Sequence, residues 1–198
     1  MIKNIVFDLG MVLINFNPKE FLEINNYEKK DEIMEYIFGH EDWLKLDRGT
    51  LTEKELAEKL DKSGSFIYDE VMDIMKVRKD IMVPFDFNKA IPKELKEKGY
   101  NLYILSNFPK VPFEEIRERD EFFKYFDGAI VSAYVKHLKP EKAIYESLLV
   151  DYSLNPEETI FIDDKLDNII SAEKLGISGV HLKTPESLKE KLKELKLL

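Results

Sequence analysis

Polar side chains able to bind a cation or an anion follow four short apolar segments of this 198-residue chain. They are Asp8 after Ile5–Phe7, Ser106 and Asn107 after Leu102–Leu105, Lys139 a short loop after Ala129–Val131, and Asp163 and Asp164 after Thr159–Ile162. If these segments are strands of one open α/β sheet, their carboxyl ends border one crevice, where such sheets bind ligands. The spacing therefore predicts one site that gathers carboxylates, a hydroxyl, an amide and an ammonium.

These groups suit a divalent cation together with a tetrahedral oxyanion. Asp8 and Asp164 can hold one hard cation through oxygen, and Lys139 offsets their mutual repulsion. Ser106, Asn107 and Lys139 supply the hydrogen-bond donors that a phosphate group needs. A carboxylate beside a metal and facing a held phosphate can act as a nucleophile and form an aspartyl-phosphate.

The composition narrows the chemistry further. The chain has no cysteine, which excludes disulfides, thiol nucleophiles, iron–sulfur clusters and cysteine–zinc sites. Its three histidines lie far apart in sequence, so a metal is expected to bind to oxygen ligands and to be a hard cation such as Mg²⁺. A formal charge of −9 argues against nucleic acid or an anionic membrane as the main partner.

The apolar segments alternate with helical patterns, and this alternation predicts an α/β fold. The fifth candidate strand is Ser178–His181, and a helix is expected between Pro92 and Gly99. Further helical stripes are Tyr145, Leu148, Leu149 and Tyr152, then Leu166, Ile169 and Ile170, then Leu188, Leu192 and Leu195. The order predicts a doubly wound parallel sheet, Rossmann-like in architecture.

Residues 16–84 differ in character, with helix signals and no convincing strand. Thr52 and Glu55 have the spacing of a capping box, and Ile67, Val71, Ile74 and Met75 form an apolar helical stripe. We therefore predict an all-helical cap at 16–84, inserted into a core formed by 1–15 and 85–198.

Four segments in this order resemble the motifs of the haloacid dehalogenase-like hydrolase superfamily. They are Phe7–Leu13, Leu105–Asn107, Leu138–Pro140 and Phe161–Asn168, and the segment Asp47–Thr52 is similar to one seen in cap-bearing members. The resemblance spans the whole chain, because the helical insert lies where that superfamily carries its cap. It implies a magnesium-dependent phosphatase acting on a small phosphorylated metabolite, with sugar phosphates as one candidate class.

The resemblance assigns a role to each matching residue around the metal. Asp8 would be the nucleophile that becomes phosphorylated, Gly10 would lend its backbone carbonyl to Mg²⁺, and Asp164 would be a carboxylate ligand. Asp163 would either reach the metal through water or orient the loop, and Asn168 would support that loop.

The phosphate side of the site is assigned in the same way. Ser106 and Asn107 would bind the phosphoryl oxygens, and Lys139 would neutralise charge on both the nucleophile and the phosphate.

One departure from the superfamily pattern stands at Gly10. Most of its phosphatases have a second aspartate there, which acts as general acid to the leaving group, and such assistance is worth roughly 10²–10⁴ in rate. Gly10 disfavours a phosphosugar mutase and resembles a branch similar to bacterial sugar-1-phosphate phosphatases. The hypothesis that follows is a preference for acidic leaving groups, such as anomeric or aryl phosphates.

Other interpretations stay open at this point. A dehalogenase of the same fold is disfavoured by Asp163 and Asp164, which indicate a metal site. A phospho-accepting signalling domain or a weakly active phosphate-binding module belongs to a different class, and the missing acid at Gly10 leaves the module open. A cytoplasmic location and a monomer or small homo-oligomer are the default expectations.

In the cap, several residues are candidates for the surface that faces the substrate. They are Asn15, Phe16, Trp43, Leu46, Asp47 and Arg48. Trp43 and Leu46 are more simply explained as cap core. Arg48 is expected to meet either an anionic substrate group or a neighbouring carboxylate.

Overall fold

A computed structural model describes the backbone of residues 1–198 and every side chain except that of Lys79. The strands are β1 (Asn4–Phe7), β2 (Ile14–Asn15), β3 (Val83–Pro84), β4 (Asn101–Ser106), β5 (Gly128–Val131), β6 (Thr159–Asp163) and β7 (Ser178–His181). Five of them form a parallel sheet in the order β5-β4-β1-β6-β7. The predicted α/β fold is confirmed, and β1 lies in the middle of the sheet.

Helices cover the sheet and form most of the segment between β2 and β3. They are α1 (Pro18–Ile24), α2 (Lys30–Ile33), α3 (Glu41–Arg48), α4 (Glu53–Ser63), α5 (Tyr68–Ile81), α6 (Ile91–Glu97), α7 (Lys110–Arg119), α8 (Ser132–Val135), α9 (Lys142–Asp151), α10 (Leu166–Glu173) and α11 (Leu188–Glu194). A π-helical turn at Met34–Phe38 continues α2. Along the described residues, no helix combines the length and the apolar character needed to cross a bilayer.

Both faces of the sheet are buried, which explains why its strands are continuous apolar runs in the sequence. Along β1, Ile5 and Phe7 belong to one hydrophobic cluster, whereas Val6 belongs to another. Successive side chains of a strand point to opposite faces, so the two clusters lie on opposite sides of the sheet. The site-bearing ends of the strands are therefore held by a core on each side.

The helices between β2 and β3 have a hydrophobic cluster of their own, which includes Leu22, Ile37, Leu56 and Met75. At the two ends of this segment, β2 and β3 form an antiparallel ribbon that pairs Ile14 with Pro84 and Asn15 with Val83. This ribbon was absent from the sequence-based expectation, because two-residue strands are too short to show an alternating pattern. The cap at 16–84 stays a prediction, and the separate cluster and the ribbon support it.

Two helix features predicted from residues close together in sequence, the capping box of α4 and most of the apolar stripe of α5, are present in the structure. In the capping box, the Thr52 backbone N–H donates to Glu55 at 2.8 Å, and the Glu55 N–H donates to the Thr52 hydroxyl at 3.2 Å. Of the stripe on α5, Val71, Ile74 and Met75 are buried, whereas Ile67 precedes the helix and is exposed.

Two predicted stripes are only partly buried. In α10, Leu166 and Ile170 are exposed, and the buried residues are Asn168, Ile169 and Ala172. The helix turns Asn168 inward because its side chain hydrogen-bonds to Asp163. At the end of the chain, Leu188 and Leu192 are buried as predicted, whereas Leu195 follows α11 and is exposed.

Candidate active site

The predicted site residues come together at the carboxyl ends of the sheet strands, beside a cavity of about 370 Å³. Seven of them line the cavity: Asp8, Gly10, Ser106, Asn107, Lys139, Asp164 and Asn168. The eighth, Asp163, is fully buried and in contact with Lys139 and Asn168. The parallel sheet thus brings together residues that lie more than 150 positions apart in the chain.

Asp8 follows β1 and has its two carboxyl oxygens in different surroundings. Oδ1 accepts hydrogen bonds from the Leu9 backbone N–H and the Ser106 hydroxyl, both at 2.7 Å, and lies 2.8 Å from the Lys139 ammonium. Among the described residues, none donates a hydrogen bond to Oδ2. One oxygen is therefore anchored, while the other is available to react.

Lys139 lies between two carboxylates and is itself buried. Its ammonium is 2.8 Å from Asp8 and 2.7 Å from Asp163, and it lies 5.3 Å from the centre of the Phe161 ring. Asn107 holds the Lys139 backbone: its Oδ1 accepts from the Lys139 N–H at 2.7 Å, and its Nδ2 donates to the Lys139 carbonyl at 3.0 Å. Sequence reasoning assigned Asn107 to phosphate and did not anticipate this contact.

Asp163 is occupied by protein donors at both carboxyl oxygens. Oδ1 accepts from the Lys165 backbone N–H at 2.7 Å and from Asn168 at 2.9 Å, and Oδ2 accepts from Lys139 at 2.7 Å and from Asn168 at 3.0 Å. Asn168 is held in turn by the hydroxyl of Tyr145, which donates to its carbonyl at 2.9 Å. Of the two roles expected for Asp163, these bonds favour orientation of the loop and of Lys139.

Asp164 contrasts with its neighbour. It is half-buried and lines the cavity, and its carboxyl group receives no hydrogen bond from the part of the chain that the structure describes. Its backbone carbonyl lies 3.0 Å from Nε2 of His181, the last residue of β7. A free carboxylate in the cavity wall can serve as a metal ligand.

The three aspartates form a donor set that fits a hard cation. Ligand oxygens of Asp8, Asp163 and Asp164 all lie within 4.8 Å of one another. Carboxylate oxygens are the donors that Mg²⁺ and Ca²⁺ prefer, and one ammonium cannot balance three carboxylates. Because Asp163 is already saturated by protein donors, Asp8 and Asp164 are the members best placed to bind a cation.

The pKa shifts of the clustered groups also support a cation site. Burial raises the pKa of Asp8; the charge of Lys139 opposes this rise, and the charge of Asp163 adds to it. Burial also raises the pKa of Asp164 to about 6, with the charges of Asp8 and Asp163 adding to the shift. Burial by itself would lower the pKa of Lys139, but the two adjacent carboxylates hold it above its ordinary value. The site has an excess of negative charge that a bound cation would relieve.

The cap supplies the opposite wall of the cavity, and most of that wall is apolar. Phe16, Phe38, Trp43 and Leu44 line it together with one carboxyl residue, Asp47. Trp43 stacks on Phe16 with ring centres 5.8 Å apart and contacts Phe38 at 5.0 Å. The cavity therefore has a charged wall formed by the core, which we call its floor, and a largely aromatic wall formed by the cap, which we call its roof.

The structure divides the cap residues singled out from the sequence. Phe16, Trp43 and Asp47 line the cavity, whereas Asn15, Leu46 and Arg48 do not. Leu46 is buried in the cap cluster, as expected from its simplest explanation. Arg48 bonds to Glu141 of the core, 2.5 Å from Nη2 to Oε1, so the carboxylate alternative is the one observed.

Sequence reasoning missed Phe38, Leu44 and Lys165 as lining residues. Lys165 follows Asp164 directly, and this position is a signal that could have revealed it. Phe38 and Leu44 carry no comparable signal, because only the docking of the cap brings them to the cavity.

Comparison with known proteins supplies independent findings. A family model described as haloacid dehalogenase-like hydrolase matches residues 2–176. Sesquiterpene phosphatase astK of Aspergillus oryzae is 29% identical over 91% of this chain and 89% of its own length. D-ribitol-5-phosphate phosphatase of Bacteroides thetaiotaomicron is 28% identical over 89% of each protein.

A solved structure is similar over nearly the whole chain. It is a variant of a HAD family enzyme from Bacteroides thetaiotaomicron in complex with magnesium and inorganic phosphate. The two share a TM-score of 0.80 and 25% sequence identity, covering 97% of this chain and 99% of the other.

The buried position of Lys139 generates a first prediction. Lys139→Met leaves Asp8 and Asp163 without their shared cation, and loss of one partner from a buried ion pair costs about 3–5 kcal/mol. Adding Asp163→Asn removes one uncompensated charge, so the double variant should be less destabilised than the sum of the single variants. Urea unfolding of all four proteins measures this coupling.

A surface pair provides the matched control. Lys142 and Glu146 lie one turn apart on α9 at 2.5 Å and are largely exposed, so the cycle with Lys142→Met and Glu146→Gln should show coupling close to zero. Equal coupling in the two cycles would contradict the electrostatic role of Lys139.

Proposed function

The chain belongs to the haloacid dehalogenase-like hydrolases and is a phosphatase, and we propose that it hydrolyses phosphate monoesters with Mg²⁺ through a phosphorylated Asp8. The observation that carries this proposal is the asymmetry of Asp8. One oxygen is anchored by Leu9, Ser106 and Lys139, and the other has no protein donor among the described groups. A nucleophile of this kind must be held firmly and still keep a free lone pair.

The neighbouring side chains divide the remaining tasks. Asp8 Oδ2 attacks phosphorus, and Ser106 and Lys139 lie at hydrogen-bond distance from the adjacent oxygen, close enough to serve the phosphoryl group as well. Asp163 holds the side-chain ammonium of Lys139 in place, and Asn107 holds its backbone. We assign these two to positioning, although Asn107 retains a role in phosphate binding as a proposal.

The metal is proposed at Asp8, Asp164 and the backbone carbonyl of Gly10, which also lines the cavity. When bound there, Mg²⁺ would offset the negative charge of the carboxylates and of the phosphoryl oxygens. The magnesium and phosphate in the similar HAD family structure support this placement. We also retain a cytoplasmic monomer or small homo-oligomer as a proposal.

Replacement of the nucleophile tests the proposal directly. Asp8→Asn should abolish phosphate release from p-nitrophenyl phosphate in the presence of Mg²⁺, because the amide has no oxygen free to attack. The fold should persist, since Oδ1 can still accept its three contacts, and circular dichroism checks this. Asp167→Asn, an exposed carboxyl on α10, is the control and should retain activity. Wild-type turnover by Asp8→Asn would overturn the assignment.

The metal assignment is tested at Asp164. Mg²⁺ that binds only the folded protein should raise the unfolding temperature of the wild type. Asp164→Asn should reduce this rise and increase the Mg²⁺ concentration needed for half-maximal activity by at least about 10-fold. Without metal the variant should be no less stable, because one of three repelling carboxylates is gone.

Asp167→Asn again serves as the control for charge alone. Phosphate release that is indifferent to chelation of divalent ions would refute the metal proposal.

The roof of the cavity bears on the substrate class. Phe16, Phe38, Trp43 and Leu44 offer apolar contacts, and Arg48 is engaged by Glu141. We propose phosphate esters whose organic group has a large apolar surface, in keeping with the similarity to a sesquiterpene phosphatase. Sugar or polyol phosphates are the second candidate class, favoured by the similarity to a ribitol-5-phosphate phosphatase.

Leu44 separates the two classes, because it lines the cavity and is 53% exposed, outside the cap core. Leu44→Ser should raise KM for a prenyl phosphate by about 3- to 10-fold, since burying such a side chain is worth roughly 1.5–3 kcal/mol when complete. KM for a sugar phosphate should change by less than about 2-fold. Steady-state kinetics on both substrates measures this.

The matched control is Ile67→Ser, which removes an exposed cap side chain outside the cavity lining. It should alter neither KM. If sugar phosphates are the better substrates and Leu44→Ser affects both classes alike, the apolar class is wrong.

A further inference from the structure

The site described so far has no acid to protonate the departing alkoxide. Gly10 has no side chain, and a Cβ built there meets no described atom within 4 Å, so the position beside the nucleophile is open space. Asp8 and Asp164 are committed to attack and to the cation, and Lys139 is held between carboxylates. The leaving group must extend from the phosphate toward the cap, because the core forms the floor.

The cap wall contributes one carboxyl residue to the cavity lining, Asp47 at the end of α3. We propose that Asp47 is the general acid of this enzyme, donating the leaving-group proton from the cap instead of from position 10. This inference rests on the proposed phosphatase function and extends it by one catalytic residue.

The backbone of Asp47 is connected directly to the core side of the site. Its carbonyl accepts a hydrogen bond from the Ser132 hydroxyl at 2.5 Å, and the same hydroxyl accepts from the Phe108 N–H at 2.9 Å. Ser132 is fully buried, and Phe108 directly follows Ser106 and Asn107. This chain of contacts fixes the end of α3 relative to the loop that carries Ser106.

The residues after Asp47 strengthen this attachment. Arg48 bonds to Glu141, and Lys136 donates to the Gly49 carbonyl at 2.6 Å. Gly49 has φ +68°, and a Cβ there would lie 2.6 Å from the Ala133 carbonyl oxygen, so only glycine permits this approach of α3 to α8. The segment that includes Asp47 is thus attached directly to the core.

The Asp47 carboxyl is in an environment suited to a proton donor. The residue is 8% exposed, and no group in the described part of the chain donates a hydrogen bond to its carboxyl oxygens. Burial raises the pKa of Asp47 to about 7; the charge of Asp8 adds to the shift, and those of Lys165 and Lys139 oppose it. A carboxyl with a pKa near neutrality is protonated often enough to donate and ionised often enough to accept.

The proposed steps balance in protons and electrons. Asp8 Oδ2 forms a bond to phosphorus while the bond from phosphorus to the ester oxygen breaks, and that oxygen takes the Asp47 proton and leaves as an alcohol. Water then attacks phosphorus, its proton passes to the Asp47 carboxylate, and cleavage of the phosphorus–Asp8 bond releases inorganic phosphate. Asp47 ends the cycle protonated, as it began.

Leaving-group dependence tests the role, because a better leaving group needs less protonation. With Asp47→Asn, kcat/KM should fall by about 10²–10³ for alkyl phosphates and by less than about 5-fold for p-nitrophenyl phosphate. The wild type should show a weak dependence across the series, in contrast to the preference for acidic leaving groups expected from Gly10 alone. A uniform loss across the series, or no loss, would overturn the proposal.

Two variants at other positions serve as controls for the proton donor. Asp61→Asn removes an exposed cap carboxyl on α4 and should change nothing. Lys165→Met removes a cavity-lining lysine whose charge acts on Asp47, and any loss should be equal for all leaving groups. A loss in Lys165→Met that grows with leaving-group pKa would assign the proton to Lys165 instead.

A rescue experiment uses the open space at Gly10. Gly10→Asp placed in the Asp47→Asn protein should recover at least about 10-fold of the lost alkyl phosphatase activity, because a carboxyl is restored in the cavity, beside the nucleophile. No recovery in a folded double variant would count against a proton-transfer role. An inactive wild type would refute the phosphatase function itself, whereas an active wild type with a uniformly impaired Asp47→Asn refutes only the role of Asp47.

Discussion

The buried contact of Lys139 with Asp8 and Asp163 is the interaction on which the rest of the site depends. An ammonium that is 1% exposed is tolerated only when carboxylates compensate for its lost hydration. Its partners come from β1 and β6, adjacent at the centre of the sheet, so the packing of the core fixes the distance between them. Asn107 then fixes the backbone of Lys139, and Asn168 fixes the carboxylate of Asp163. The fold itself therefore holds these site residues in place.

The same contact explains how a protein of net charge −9 can bind an anion. Three clustered carboxylates outweigh one ammonium. Burial is the main cause of the upward pKa shifts of Asp8 and Asp164, and the charges of the neighbouring carboxylates add to them. A divalent cation bound at these carboxylates would neutralise that excess and offer phosphate a positive ligand site, whatever the global charge. The attraction of an anion to such a site depends mainly on the charges within a few ångströms of it, because salt screens the more remote surface charges within about 10 Å.

The strands and the meeting of the site residues could be predicted from sequence, because buried parallel strands are continuous apolar runs and their carboxyl ends share one edge. The contacts that depend on tertiary docking could not. Arg48 and Glu141 are 93 positions apart, and nothing local to either residue indicates the other. The exposed Leu166 shows a related limit: apolar spacing favoured burial, but the bonds of Asn168 to Asp163 set the face of α10. The wall residues Phe38 and Leu44 depend on the cap position in the same way.

Placing the acid on the cap has a mechanistic consequence that an acid at position 10 would lack. A carboxyl on the loop after β1 is beside the nucleophile whether or not the cap is docked. Asp47 lies on the cap, which contacts the core at the end of α3 through Ser132, Glu141 and Lys136, so proton donation requires a docked cap. The docked cap also raises the pKa of Asp47, since burial is the largest cause of that shift. Cap opening would therefore move the proton donor away from the substrate and also lower its pKa. Protonation of the alkoxide would then occur only on an enclosed substrate, and esters too small to keep the cap in contact with the core would turn over slowly.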